Sequence, residues 1–423
     1  MKPWVGYRVM GDDIHHRAAA SDSSTRALRA RLSERVKALV SEPGLPGVKS
    51  AVVRIDAPAV GFGFECAAGE ARGDTGEAMT PDTVFHLASI AKTMTAVLIC
   101  QANERQLLGA DGLNARLSAL GVFDDAIIER LHKINGRSFG DQITLQHLLS
   151  HMSGMKDAMV DDGSGVADAA GPRPNSIIGR IFSDAEAYGE KAWRPWDPSK
   201  SFDAQAGVLN YYLNTDHISE TALFEPGAAF HYSDTGYVLL AIAAEKLFGK
   251  PLHQLMRDFI FTPLGMKNTY LAYRDDPALG PNRAPEAEIY AGDAPCLASG
   301  KSLSFDWGGG GVVSTARELN AFLIGLSQGA LFDDAKTLDQ MTSWQTPNGL
   351  NPPRLGVGCG LFKTDGKDFE LWGHSGAWGG KMFYDPDVGV FFSGSLNQTS
   401  APIDWHLAFI QEIHDALKNE LTP

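Results

Sequence analysis

The sequence predicts an α/β fold of the α+β type. An antiparallel sheet is drawn from both chain ends and flanked by helices, with an all-helical lobe inserted between. Three observations carry this. Two neighbouring apolar runs lie near the start, four more lie in the last third, and short helices fill the middle. Consecutive strands joined by short turns favour antiparallel pairing, and a sheet hydrophobic on its faces needs helices packed against it. The expected organisation is a mobile leader over 1–23, a sheet domain from 24–106 and 286–423, and an inserted, mainly helical lobe over 107–285.

The elements follow in order. Leu28, Leu32, Val36 and Leu39 recur at helical spacing within 24–40, which predicts an amphipathic helix. Pro43 to Pro46 ends it. The runs Val48–Ile55 and Val60–Ala68 are rich in Val and Phe and read as a hairpin. Thr80-Pro81-Asp82 opens a turn before a long apolar helix over Ala88–Asn103. From Leu107 to Pro285, short helices alternate with Gly- and Pro-rich loops. Asp161–Pro174 reads as an exposed loop, and Trp193–Asp203 as an ordered surface loop. Strands return over Gly356–Thr364, Phe369–Gly373, Lys381–Tyr384 and Gly389–Leu396. A last helix, 404–417, carries Trp405, Leu407, Ile410, Ile413 and Leu417 on one face.

Composition narrows the function. With 44% apolar and 21% charged residues, the 423-residue chain is an ordinary folded protein. Its net charge of −14 argues against nucleic acid, which needs clustered Lys and Arg, and against a basic membrane anchor. No window approaches the roughly 18 apolar residues that span a bilayer. The first residues lack the apolar core of a signal peptide, so a cytoplasmic location is expected. Cys66, Cys100, Cys296 and Cys359 have no Cys-x-x-Cys spacing and read as buried free thiols rather than a zinc site or disulfide frame. No metal or cofactor is expected.

Several motifs are excluded. There is no Gly-x-Ser-x-Gly elbow and no His-Glu-x-x-His pair. Ser299-Gly300-Lys301-Ser302 has Pro295 where a phosphate loop needs Gly, and Gly308–Gly311 lacks dinucleotide spacing; both read as loops. The informative segment is Phe85-His86-Leu87-Ala88-Ser89-Ile90-Ala91-Lys92. Ser89 and Lys92 sit at i and i+3 at the start of an apolar helix, so hydroxyl and amine share a face. A serine attacks only when a base takes its proton. Lysine serves if burial brings its pKa down toward neutrality. The helix start adds free N–H groups for an oxyanion. Tyr232-Ser233-Asp234, before an apolar helix, and His374-Ser375-Gly376, on a late strand, follow at element edges.

These motifs make the chain resemble the serine β-lactamase and penicillin-binding-protein superfamily, in particular its class C-like branch of esterases, D-amino-acid peptidases and amide hydrolases. Ser89-x-x-Lys92 matches its first motif. Tyr232-Ser233-Asp234 matches the Tyr-x-Asn motif, and His374-Ser375-Gly376 matches the Lys-Thr-Gly strand, often His-x-Gly in esterases and peptidases. Leu148–Gly154, Phe224–Gly227 and Gly309–Thr315 look like further segments of the family, so the likeness covers about residues 30 to 415. It implies a β-lactamase/transpeptidase-like fold and an acyl-enzyme on Ser89. Lys92 and Tyr232 would handle protons, and the Ser89 and Ala377 N–H groups would form the oxyanion hole. His374, Ser375, Gly376, Asp234 and Trp378 would contact substrate. The implied reaction is hydrolysis of a small ester, amide or short peptide. A D-amino-acid peptidase or acyltransferase is the alternative, and a β-lactamase or non-catalytic binding module is less favoured.

Two departures qualify this. Asp234 stands where the family often has Asn. It either contacts substrate or pairs with Lys92, which would raise the lysine pKa and oppose its role as base. His374 replaces the lysine that holds a substrate carboxylate, so the cleft is expected to lack affinity for anions. His151 is read as supporting the helical lobe and His86 as a packing residue. Trp193, Trp196, Tyr211 and Tyr212 either line an acyl pocket or pack a loop. His15-His16 belongs to the leader. Oligomeric state is left open.

Overall fold

The computed structural model describes residues 21–41, 45, 47–168, 171–189, 193–200, 207–215, 217–275, 286–366 and 368–419. Its centre is an eight-stranded sheet: β1 (Ser50–Ala57), β2 (Phe62–Arg72), β3 (Glu77–Ala78), β4 (Arg354–Val357), β5 (Phe362–Asp365), β6 (Glu370–Ser375), β7 (Lys381–Asp385) and β8 (Val390–Ser395). The order across it is β4-β5-β6-β7-β8-β1-β2-β3, antiparallel throughout. β8 pairs with β1, Val52 opposite Ser395, so both ends of the chain meet in mid-sheet as expected.

Alternation decides which residues face which layer. Ala51, Val53, Ile55, Phe383 and Phe392 point to a layer formed by α1 (Ser21–Val40) and the last helix, α5 (Leu407–Asn419). Val52, Met382 and Phe391 point the other way, into the larger core. That core is organised by α2 (Ala91–Glu104), buried from Ala91 to Ala102, and by α3 (Asp234–Phe248), buried from Thr235 to Ala244. A helix apolar all round belongs at the centre of a domain. Three buried polar side chains of α2 donate to neighbouring carbonyls: Thr93 Oγ1 to Gly360 O, Thr95 Oγ1 to Gly308 O, and Gln101 Nε2 to Leu331 O, while Gln101 Oε1 is buried without a partner. Left unpaired, each donor would cost about 1–3 kcal/mol. A fourth helix, α4 (Ala316–Ser327), packs against β1 and β8.

Four expectations are corrected. The single strand over Gly356–Thr364 is two strands with a turn between, because Gly360 takes φ +66° and brings the chain against α2, where a Cβ would lie 3.0 Å from Lys92 O. Asp161 and Asp162 do not begin an exposed loop; each is 1% exposed and accepts backbone N–H bonds. Gly308–Gly311 is not a plain loop: Trp307–Gly310 is a short helical turn leading into a strand at Val312–Ser314. Helix α1 begins at Ser21, inside the proposed leader; Met1–Ala20, with His15-His16, lies outside the described residues, as do Pro43 and Pro46. The four cysteines are free, with Cys66 only partly buried.

Candidate active site

Ser89 is held where three elements converge. A small sheet places Val312–Ser314 between Phe85–His86 and Tyr270–Leu271, and Leu87 N–H bonds Val312 O at 2.9 Å. The chain then turns through Ala88 at φ +46°, a left-handed value that costs a residue with a Cβ, into the short turn Ala88–Ile90 ahead of α2. Ser89 is half-buried. One turn on, Lys92 is 0% exposed, and its Nζ donates to Ser89 Oγ at 3.1 Å, to Gly309 O at 2.7 Å and to Asp234 Oδ1.

Asp234 opens α3, where Ser233 Oγ caps the helix by accepting from Gly236 N–H at 3.3 Å. Of the two roles open to Asp234, it takes the pairing with Lys92. Burial alone would lower the Lys92 pKa; the Asp234 carboxylate, helped by Tyr232 and Asp306, reverses that and holds it above its ordinary value. The expectation that burial delivers a neutral lysine is therefore corrected: the resting ammonium is charged. The surroundings carry excess acid. Burial and the Asp234 charge raise Asp306 to about 7 and push the buried Asp157 well above the carboxylate range.

Tyr232 lies beside this pair, its ring centroid 5.0 Å from Lys92 Nζ. Burial lifts its phenol to about 12, against the pull of the ammonium. Its buried hydroxyl makes no hydrogen bond. His151 does more than support the helical lobe: it stacks on Tyr232, centroids 4.1 Å apart at 23°, and its Nδ1 accepts from Ser233 N–H at 3.1 Å. Burial, with Lys92 nearby, keeps its imidazole neutral. The Leu-Leu-Ser-His run flags this histidine but not its tyrosine partner, since the two meet across 81 residues of chain.

The His374-Ser375-Gly376 strand closes the other side. A Cβ on Gly376 would stand 2.2 Å from Leu87 O, so only glycine lets β6 approach the turn carrying Ser89. This sets Ala377, which is exposed, next to that turn. Among the described residues its N–H has no backbone hydrogen-bond partner. Burial and Lys92 push His374 down to about 3; its Nδ1 faces Ser375 O at 2.7 Å, and its Nε2 is buried without a partner. Trp378 Nε1 is also unpaired. Two cations lie near this strand. Lys381, opposite Ser375 on β7, donates to Ser375 Oγ at 3.2 Å, and Arg354 of β4 lies 6.0 Å from the Tyr232 ring.

The other candidates settle elsewhere. Trp193, Tyr211 and Tyr212 are buried core residues, with Tyr211 bonded to Asn175 O and Tyr212 to Leu131 O, while Trp196 packs on Phe123. His86 Nε2 pairs with Glu286 at 2.7 Å rather than merely packing. A cavity of about 300 Å³ lies beside that pair, lined by Arg72, Tyr273, Lys301 and Ser302 among others, and none of Ser89, Lys92, Tyr232 or His374 borders it.

The family model Beta-lactamase matches residues 32–410. The chain belongs to the Beta-lactamase family. Among curated relatives, it is 26% identical over 188 residues to penicillin-binding protein 4* of Bacillus subtilis (strain 168), covering 44% of this chain and 30% of that one. It is 27% identical over 238 residues to penicillin-binding protein 4 of Amycolatopsis lactamdurans, covering 56% and 48%. It thus spans less than half the length of either relative. Among solved structures, D-amino acid amidase from Ochrobactrum anthropi SV3, complexed with L-phenylalanine amide, superposes with a TM-score of 0.68 at 21% identity, over 94% of this chain and 100% of that one. EstCE1, a hydrolase with promiscuous acyltransferase activity, gives 0.66 at 18% identity, over 94% and 100%. These likenesses establish a shared fold. No helix among the described residues is long and apolar enough to cross a membrane.

Proposed function

We propose that this protein is a serine hydrolase that cleaves a small ester or amide through an acyl-enzyme on Ser89. The observation that carries the reading is the 3.1 Å contact between Ser89 Oγ and the buried Lys92 Nζ, with the uncommitted Tyr232 hydroxyl alongside. Ser89 Oγ attacks the carbonyl carbon, and the carbonyl electrons move onto oxygen. The Ser89 and Ala377 N–H groups receive that oxyanion; one such donor is worth on the order of 3–4 kcal/mol.

The proton needs a base, and resting Lys92 is charged. Within the buried pair, Lys92 can pass its proton to Asp234, replacing two charges in a poor dielectric by two neutral groups with no change in net charge. Neutral Lys92 then accepts the Ser89 proton. As the intermediate collapses, the carbon–leaving-group bond breaks, Tyr232 Oη protonates the departing oxygen or nitrogen, and Lys92 restores the tyrosine proton. Water enters where the leaving group was, and the steps run in reverse.

The test is a burst. Mixed with a p-nitrophenyl ester, the protein should release one equivalent of nitrophenol rapidly and carry the acyl mass on the peptide containing Ser89. An active Ser89→Ala variant overturns the reading. The fold shared with D-amino acid amidase and EstCE1 supports testing D-amino-acid amides and an added alcohol acceptor beside the esters and nitrocefin.

A further inference from the structure

We propose that Asp157 is a positioning residue for the Lys92–Asp234 pair: its carboxyl keeps a proton and donates it as a hydrogen bond to Asp234, so that two acids share one negative charge opposite one ammonium. Its part in catalysis rests on the acyl-enzyme reading above; the place of the proton does not.

Asp157 lies in the loop after His151 and is 0% exposed. That loop is fastened to the start of α3. Thr235 N–H and Oγ1 donate to Asp157 Oδ1 at 3.2 and 3.1 Å, and Met159 N–H adds a third bond at 3.2 Å. Ala158 N–H donates in turn to Thr235 Oγ1 at 2.9 Å. These bonds hold the carboxyl beside Asp234, the chain neighbour of Thr235, and they use only one of its oxygens. Oδ2 is buried with no donor. The groups that face Asp157 are acidic or neutral: Asp234 of α3, within side-chain hydrogen-bond reach, Asp161 of its own loop, and Tyr212 of the helix Val208–Asn214. Asp161 is engaged by the N–H groups of Asp157 and Ala167 and by His231 Nε2. Lys156, next in the chain, turns its ammonium to Asp162 O and Thr221 Oγ1 instead.

An ionised Oδ2 would meet another carboxylate with no cation and no donor of its own, a costly state for a buried charge. A proton on Oδ2 turns the same contact into a charge-assisted O–H···O bond. Two carboxyls in contact share one proton because both cannot ionise together. The donors on Oδ1 favour ionisation, but burial and the Asp234 charge outweigh them. The proton belongs to Asp157 rather than Asp234, whose Oδ1 already takes the Lys92 ammonium. This tunes Lys92. As a lone anion, Asp234 would hold that ammonium at full strength. A hydrogen bond from Asp157 draws off part of the charge, so the pair parts with a proton at lower pH. Asp234 Oδ1 stays free of Asp157 and receives the Lys92 proton in the hand-over described above.

Carbon-13 NMR of protein labelled at the aspartate carboxyls reads the proton without turnover. The resonance that disappears in Asp157→Asn should be that of a protonated acid at neutral pH. In Asp234→Asn the same resonance should titrate about 1 unit lower or more, because its neighbour has lost its charge. A resonance typical of an ionised carboxyl at neutral pH overturns the proposal. The pH dependence of kcat/KM tests the positioning. Asp157→Asn puts an N–H donor where the proton was, and its acid limb should stay within about 0.3 unit of wild type. Asp157→Ala has no donor, and its limb should move to higher pH by about 0.5–1 unit, opposite to the effect of losing Asp234. A merely structural role would lower kcat/KM at every pH and leave the limb of Asp157→Ala in place, which overturns the proposal. So does a limb that moves to lower pH in Asp157→Asn, since that variant would then have removed a charge. Should Asp157→Ala fail to fold, the NMR comparison and the Asn variant carry the test. If the esters give no burst but Asp157 is protonated, the acyl-enzyme reading fails and the shared proton stands. If the burst is on Ser89 and Asp157 is ionised, the reverse holds.

Discussion

Asp234 sets the proton inventory of the site. It holds the Lys92 pKa above its ordinary value, so the free base is scarce at neutral pH. In Asp234→Asn the carboxylate is gone and burial, which favours the neutral amine, is unopposed by it. The lysine pKa then falls, more free base exists at any given pH, and the acid limb of kcat/KM should move to lower pH by about 1–3 units. A pH–rate profile of the two proteins checks this; an unmoved limb means that Lys92 is not the titrating base. At this scale the sequence was uneven. Ser89 and Lys92 were legible together because three residues of helix fix their geometry. The choice between two roles for Asp234 was not, because its partner lies 142 residues away. Lys381 was not legible as a partner of Ser375, since only the register of β6 on β7 brings them together.

Elements matter here through close backbone approach. β6 reaches the Ser89 turn only because Gly376 has no side chain; Leu87 O occupies the position a Cβ would need. Gly376→Ala should push the strand away and displace the Ala377 N–H from the oxyanion position. The burst rate should fall by about 10²- to 10³-fold, the loss typical of one donor, while far-UV circular dichroism and cooperative melting persist. A burst within twofold of wild type would refute this arrangement. The hairpin, the helix that follows Ser89 and the late strands were readable from their periodicity. The break at Gly358–Gly360 was not, because apolar residues run through it and the reason for the turn is contact with α2. The aromatic cluster at Trp193 and Tyr211–Tyr212 was ambiguous for a related reason: composition alone does not distinguish a cleft wall from a core.

Over the whole molecule, the sheet shared by both chain ends separates two layers, and each buries histidines. His151 and His374 lie on the side of Tyr232; His406 lies on the other, stacked on Phe383 at 4.7 Å with its Nδ1 unpaired. Burial holds all three below their ordinary pKa. The unfolded chain takes up these protons near pH 6.5, whereas the folded chain refuses them until lower pH. Each histidine therefore supports the fold above about pH 6.5 and withdraws that support as pH falls below it, by up to about 1.4 kcal/mol per unit. The raised carboxylates Asp157, Asp306 and Asp385 act in the opposite sense, losing stability as pH rises through their range. Total stability against pH therefore mixes the two, and a difference isolates one histidine. His406→Phe keeps the stacked ring and removes the proton site, far from Ser89 in sequence and in the other layer. In urea titrations at pH 7.5, 6.5 and 5.5, the stability of the variant relative to wild type should be constant above neutrality and should shift in its favour at pH 5.5 by about 1 kcal/mol. A constant difference across all three pH values would mean that His406 takes up its proton at the same pH in the folded and unfolded chain, and that its burial against Phe383 and Phe392 does not hold its pKa down.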